Sequence, residues 1–367
     1  MKRYQIPILE PKAQVERRCR HCGRTGGQVH QHRIQHPVDT RLERVEKIRM
    51  RCAFCQKTWT CQPEGMKESY SRSQRVRALN VLLYALGLSY RAVAAIVTAL
   101  GAPESPASVY EDVTQSGTQA QQLHDRDIAR PVQMVGMDGT GQLLAEPGDS
   151  HSEGVMFAVD FGSGRLLCFE LLDERDAEAL QGFVDKLRKR FSVTEWVGDD
   201  HRNHRTCFEK DAKDRYWICT AHFKRAKKRR LRKLRKIAES KDSPVKKPEP
   251  FLQSVEKLER LLDEPPEDGE AQAYALYRSW YQARAPGEGE TATPEWLLKQ
   301  VALEISEKWR WAWSTTNNVT ERAIGRLLKI RSKTMRGFKK RENIVRFVHL
   351  CDWMTAGAAR LDLAEVL

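Results

Sequence analysis

One stretch constrains the fold more than any other. From about residue 131 the apolar pattern changes to short runs with strand character, broken by glycine and aspartate. Pro131–Val135 runs into Gly136-Met137-Asp138-Gly139-Thr140-Gly141. Gly154–Phe161 and Arg165–Leu172 read as two further strands, joined by Gly162-Ser163-Gly164, a hairpin signal. Asp176–Phe191 is amphipathic, with Leu180, Phe183, Val184 and Leu187 on one helical face. Val193–Val197 is a strand ending in Gly198-Asp199-Asp200, and a short helix and the strand Arg215–Thr220 follow. Three antiparallel strands, a helix and two more strands predict an α/β unit built on one mixed sheet.

That element order is the order of an RNase H-like domain, and it is interrupted once. Residues 224–313 lack strand periodicity and read as a helical insertion. Lys224–Lys236 holds ten Lys or Arg in thirteen residues, more than a helix needs for solubility, which favours phosphate tracking over a merely solvated face. Amphipathic helices are expected near 251–263, 270–284 and 294–311. The tryptophans at 309, 311 and 313 are expected to pack the insertion on the sheet, the alternative being stacking on a flipped base. The fold then resumes with a helix from about Asn318 to Ile330, a basic loop 331–341 and a last helix at 342–358. Residues 131–223 and 314–367 thus form the two parts of the core.

Upstream lie two smaller units. Cys19-Arg-His-Cys22 and Cys52-Ala-Phe-Cys55 offer two thiolates each, with a short strand from Val45 to Met50 leading into the second pair. This is zinc-ribbon layout over 1–65: one structural Zn²⁺ in a tetrahedral site that supplies the folding free energy of a segment too small for its own core. Residues 71–123 read as three helices. Gly87 closes the first, Ser89 caps the second, and Ser105 or Pro106 starts the third after Gly101. Beside a zinc ribbon, this favours a helix-turn-helix over a plain helical linker.

With 367 residues the chain is too long for one core. Its 63 Lys+Arg against 49 Asp+Glu give a net charge of +14, which favours a polyanionic partner. No apolar run approaches the ~18–20 residues that span a bilayer, and the N-terminal segment has no apolar core for a secretory signal. The expectation is a cytoplasmic, nucleoid-associated protein without a membrane partner. Nine cysteines, four of them in paired C-x-x-C spacings, then read as metal ligands and buried thiols.

Phosphodiester transfer needs about three carboxylates able to hold two Mg²⁺ (or Mn²⁺) ions ~4 Å apart. Asp138 ends the first strand and Asp199 the fourth, which are neighbours in such a sheet, and Glu321 lies on the helix across that edge. Asp160 and Asp200 are rivals, the first beside a turn where Asp is common. The set G-M-D-G-T-G, V-G-D-D-H, C-x-x-H (Cys219 to His222) and T-T-N-N-V-T-E-R-A-I-G resembles the DDE transposases of bacterial insertion sequences, nearest the Mutator-like group. The resemblance covers roughly 131–223 and 314–350. It implies Asp138, Asp199 and Glu321 as catalytic metal ligands, the first Asp of the Asp199-Asp200 pair being the catalytic one. Cys219 and His222 are expected to support them without ligating metal. The partners implied are double-stranded DNA, both element ends and target, and further copies of the chain assembled on it. Expected DNA contacts are Lys227, Lys228, Arg229 and Arg230 in the basic run, Ser108 and Tyr110 on the third helix, Asn317, Asn318 and Arg322 beside Glu321, and Arg336 in the basic loop. The rival readings are a catalytically silent DNA-binding protein of transposase ancestry and a nuclease acting on hybrids.

Overall fold

The computed structural model describes residues 3–127, 131–140, 154–208, 214–313, 316–329, 338, 340–355 and 360–367. The fold is mixed α/β and divides into two compact units. Arg336, one of the expected DNA contacts, lies outside the described residues.

The first unit draws on residues 1–129 and 324–367. Strand β1 (Arg3–Gln5) pairs in parallel with the C-terminal strand Arg360–Asp362. Strands β2 (Gly27–Gln35), β3 (Val45–Cys52) and β4 (Thr58–Cys61) form an antiparallel sheet in that order. Of these the sequence pattern discloses only β3, because β2 is exposed along nearly its whole length and shows no apolar alternation. One face of this sheet buries Ile48, Met50, Cys52, Trp59 and Cys61 with Cys19 and Ala13.

Three helices follow as expected: α1 (Gln74–Ala85), α2 (Tyr90–Ala99) and α3 (Pro106–Asp127). Ser73 and Ser89 cap the first two by accepting the amides of Val76 and Ala92, and Gly87 and Gly101 end them in left-handed backbone conformations. The fully buried Asp112 of α3 binds Arg72 at 2.5 Å, Arg77 at 2.9 Å and Asn80 at 2.9 Å, fixing α3 to α1 through charge-assisted bonds. The C-terminal helix Arg341–Thr355 lies along α3. Its approach depends on Gly117, where a Cβ would stand 2.6 Å from the Cβ of Arg346. Residues 314–367 are therefore not one block with the sheet: from Ile324 onward the chain clusters with the N-terminal helices, while Glu321 stays with the sheet.

The second unit draws on residues 130–142 and 151–323. Its strands are β5 (Met134–Thr140), β6 (Val155–Asp160), β7 (Leu166–Leu171), β8 (Glu195–Gly198) and β9 (Arg215–Ile218). They lie in the order β7-β6-β5-β8-β9, with β5 antiparallel to β6 and parallel to β8. Helix α4 (Ala177–Phe191) makes the crossover from β7 to β8, burying Leu180, Phe183, Val184 and Leu187. A short α5 (Arg202–Thr206) precedes β9. Asp160, one of the rival carboxylates, accepts the amides of Gly162 and Ser163 and so shapes the β6–β7 turn.

Helix α6 (Thr220–Ala238) leaves the sheet directly after β9 and carries the basic run outward. It packs with α7 (Pro248–Asp263), α8 (Gly269–Ser279) and α9 (Pro294–Ala312) around Leu231, Leu234, Phe251, Val255, Leu258, Leu298, Val301 and Ile305. Each such side chain, fully buried, contributes about 1.5–3 kcal/mol. Trp309 lies against Gly269, where a Cβ would stand 1.9 Å from the indole, and Trp313 stacks edge-on to Phe223. Those two tryptophans serve packing. The chain returns to the sheet with α10 (Asn318–Ile324), which runs on into a π-helical segment, Gly325–Lys329. No helix of the described residues is long and apolar enough to cross a membrane.

Candidate active site and metal centre

The site begins with a register. Strands β5 and β8 pair in parallel from Met134↔Glu195 to Gly136↔Val197, so Asp138 and Asp199 leave the sheet side by side at the same edge. Gly136 lets α10 come down on that edge: a Cβ there would stand 2.0 Å from Thr320 Oγ1 and 2.9 Å from Asn317 Oδ1. Asn317 is fully buried. Its side-chain amide donates to the Met137 carbonyl at 2.7 Å, and its backbone amide donates to Cys219 Sγ at 3.1 Å. These contacts present Glu321, one turn on, to the two aspartates. Asn317 and Cys219 thus fasten α10 to the ends of β5 and β9, and Asn317 is not placed to touch DNA. Asn318 and Arg322 are exposed on the same helix.

His222, in the first turn of α6, joins the remaining pieces. Its Nδ1 bonds Asp199 Oδ1 and its Nε2 lies 3.0 Å from Glu321 Oε1. Asp138 rises to about 7, first through burial, then through the charges of Asp199, Glu321 and Glu174. Burial also raises Asp199, while the neighbouring His222 pulls the other way. Like charges gathered out of water in this way are what a bound dication relieves. The hard oxygen donors of Asp138, Asp199 and Glu321 suit Mg²⁺ or Mn²⁺.

Asp200 turns away from this cluster. Its carboxylate binds Lys308 of α9 at 2.7 Å, with Lys227 at 3.6 Å and Arg205 at 3.7 Å. Both lysines are buried, so Asp200 ties the sheet to the insertion. Two neighbours that the motifs left unmarked flank the site. Tyr216 donates to the Asp199 carbonyl at 2.7 Å and packs over Gly198 at the end of β8, and Glu174 comes up to Gly139 of β5, where a Cβ would stand 2.8 Å from its carboxylate. A tyrosine two residues into a strand and a glutamate before a helix carry no local signal of such roles.

The second centre is the cysteine cluster. Sulfurs of Cys19, Cys22, Cys52 and Cys55 all lie within 4.8 Å of one another, with Cys19–Cys55 at 3.6 Å and Cys22–Cys52 at 3.7 Å. A tetrahedral ion with bonds of ~2.3 Å needs sulfurs about 3.8 Å apart, so the set is compatible with one structural zinc. The amides of Phe54 and Cys55 point at Cys52 Sγ. The Cys55 amide pulls Cys52 down to about 6, against burial, favouring the thiolate that a metal requires.

The expected DNA contacts fare unevenly. Lys227 and Arg230 are both bound to Glu304, and Lys228 to Asp263. These three face the insertion's own carboxylates. Arg229 is exposed, as are Arg225, Arg232, Lys233 and Lys236, which share its side of α6 at helical spacing. Tyr110 packs edge-on against Tyr90 and lies 3.5 Å from Asn343, and Ser108 accepts Arg72 through its carbonyl and meets Ser105 through its hydroxyl. Both side chains are half-buried, and the exposed basic surface of α6 is on another side from most of the residues the run singled out. No protein-family model matches the chain, and no curated protein matches it.

Proposed function

We propose that this chain is a DNA transposase that cleaves element ends and joins them to target DNA by metal-dependent phosphodiester hydrolysis and transesterification. The observation that carries the reading is that Asp138 and Asp199 end neighbouring parallel strands, within reach of each other's charge and that of Glu321 on α10, while His222 bridges Asp199 and Glu321. Three carboxylates brought together from residues 61 and 122 positions apart in the chain are costly to gather out of water, and phosphoryl transfer is the chemistry that uses such a set. The order β7-β6-β5-β8-β9, with the first three strands antiparallel and the last two added in parallel, supports an RNase H-like domain. The cysteine cluster on β-hairpin turns supports a zinc ribbon, and α1 to α3 a helix-turn-helix bundle, both suited to duplex DNA.

Two divalent ions held by Asp138, Asp199 and Glu321 would activate the attacking oxygen and stabilise the leaving one. The chain's own residues supply the rest. Gly136 and Asn317 set the height of Glu321 over the sheet. Tyr216 holds the peptide of Asp199. His222 bonds Asp199 and Glu321 through its two ring nitrogens and so keeps the two carboxylates in register. The attacking group is water in the cleavage step and a DNA 3′-hydroxyl in the joining step; in each, a new P–O bond forms as the opposite P–O bond breaks.

The deciding experiment is nicking of supercoiled DNA with Mg²⁺ or Mn²⁺ and without either. Asp138→Asn, Asp199→Asn and Glu321→Gln should each reduce nicking at least ~100-fold while leaving duplex binding within a few-fold. Wild-type protein that binds duplex but never nicks it would leave the silent DNA-binding reading in its place.

A further inference from the structure

The sheet β2-β3-β4 has one face buried along β3 and β4 and another that is polar except at Val45, the first residue of β3, which is buried against Leu9 and Met66. The first is the face of Ile48, Met50, Cys52, Trp59 and Cys61. Residues paired across strands share a face, so the register assigns the other: Gln28 opposite Arg51, Gln31 opposite Arg49, and Arg33 opposite Lys47. On β4, Thr58 and Thr60 stand beside Arg51 and Arg49. Side-chain bonds report the same arrangement. Arg33 Nε donates to Gln31 Oε1 at 3.0 Å, and the Arg49 guanidinium donates to Thr58 Oγ1 at 3.1 Å.

Four cations therefore share this face with neutral amides and hydroxyls. None of the four is in an ion pair among the described residues, and Gln28, Gln31, Arg33 and Arg51 are exposed. Glu46, the carboxylate of β3, belongs to the opposite face, where it pairs with Lys12 and His32. Glu68 is the acid whose charge reaches Lys47. Successive cations along β3 are two residues, about 7 Å, apart.

We propose that this face of the sheet binds the phosphate backbone of double-stranded DNA, as a binding surface separate from α6 and from the carboxylate site. Charge complementarity selects a polyanion. The absence of any aromatic side chain among Gln28, Gln31, Arg33, Lys47, Arg49, Arg51, Thr58 and Thr60 removes the stacking platform that single strands use, which leaves the duplex backbone. The proposal rests on the reading of the chain as a DNA-acting protein, but on none of its catalytic residues.

The test uses the whole 367-residue chain, zinc-loaded, and the combined variant Arg33→Gln, Arg49→Gln, Arg51→Gln. Binding to a random-sequence duplex is measured over a salt series. Each phosphate no longer neutralised lowers the slope of log affinity against log salt by about 0.9, so the three substitutions together lower it by about 2.7. The change should be equal on two unrelated duplexes. Lys12→Gln, beside Glu46 on the other face, should leave the slope unaltered. Zinc content and thermal midpoint equal to wild type show that the variant is folded. An unchanged slope in such a folded variant overturns the proposal, as does a loss confined to single-stranded DNA. Failure of metal-dependent nicking with the slope change intact would overturn the catalytic reading and leave this one standing.

Discussion

Replacing Gly136 by alanine tests the central claim that a bare backbone on β5 seats the helix bearing Glu321. The added Cβ would lie 2.0 Å from Thr320 Oγ1, where ordinary contact begins at 3.4 Å, so the two must separate by about 1.4 Å. Thr320 is fully buried and its neighbour Glu321 is carried with it. Overpacking of this kind costs about 1–3 kcal/mol, which for a unit of this size lowers the melting midpoint by roughly 2–12 °C. On the proposed role of Glu321, displacing it by ~1 Å costs on the order of 100-fold in rate, so nicking should fall by about that factor in protein that is still folded. The same geometry supplies its control. Thr320 Oγ1 has no hydrogen-bond partner among the described residues, so Thr320→Ala alone should cost no more than about 1 kcal/mol, for the buried methyl it removes. In the double variant the severest clash is gone and only Asn317 Oδ1 at 2.9 Å remains. Both midpoint and rate should recover in part, with a coupling of at least ~1 kcal/mol. A Gly136→Ala protein that melts and nicks like wild type, or a double variant no better than the single, would refute the reasoning.

The adjacent aspartates should separate by readout: Asp199→Asn abolishes nicking with little loss of stability, whereas Asp200→Asn strands the buried Lys308, Lys227 keeping Glu304, and costs about 3 kcal/mol in urea unfolding while folded protein still nicks. On α6, Arg225→Gln with Arg229→Gln and Arg232→Gln should flatten the salt dependence of duplex binding. Lys227→Gln with Lys228→Gln and Arg230→Gln should instead lower stability, and equal slope changes in both sets would dismiss the two-sided helix. Burial holds His204 at about 4, below its ordinary 6.5, so the folded state prefers the neutral ring. That contribution, at most about 3 kcal/mol, is fully present above pH 6.5 and is lost as pH falls towards 4. Unfolding across pH should therefore be less acid-sensitive in His204→Gln than in wild type, and parallel curves would count against it.

Local spacing alone determined a good deal of this protein. Turn glycines, serine caps and apolar periods of two or about 3.6 residues are properties of neighbours in the chain, which is why α1 to α4, the β6–β7 hairpin and the helical insertion were legible. Two tight C-x-x-C turns bring each sulfur pair together, so the cysteine set could be named; the closure of both pairs to 3.6–3.7 Å belongs to the β2-β3-β4 sheet. Strand β2 stayed hidden because both of its faces are exposed over most of its length, leaving no apolar rhythm to read. Partners distant in the chain were decided only in three dimensions. The meeting of Asp138 with Asp199 depends on parallel pairing across more than fifty residues, and Glu321 arrives through Gly136 and Asn317. A run of lysines and arginines looks the same on every side in sequence. Only packing of α6 against α7 and α9 committed Lys227, Lys228 and Arg230 to Asp263 and Glu304 and left Arg225, Arg229 and Arg232 outside, because a charge is silenced by the carboxylate that reaches it and not by its place in the chain.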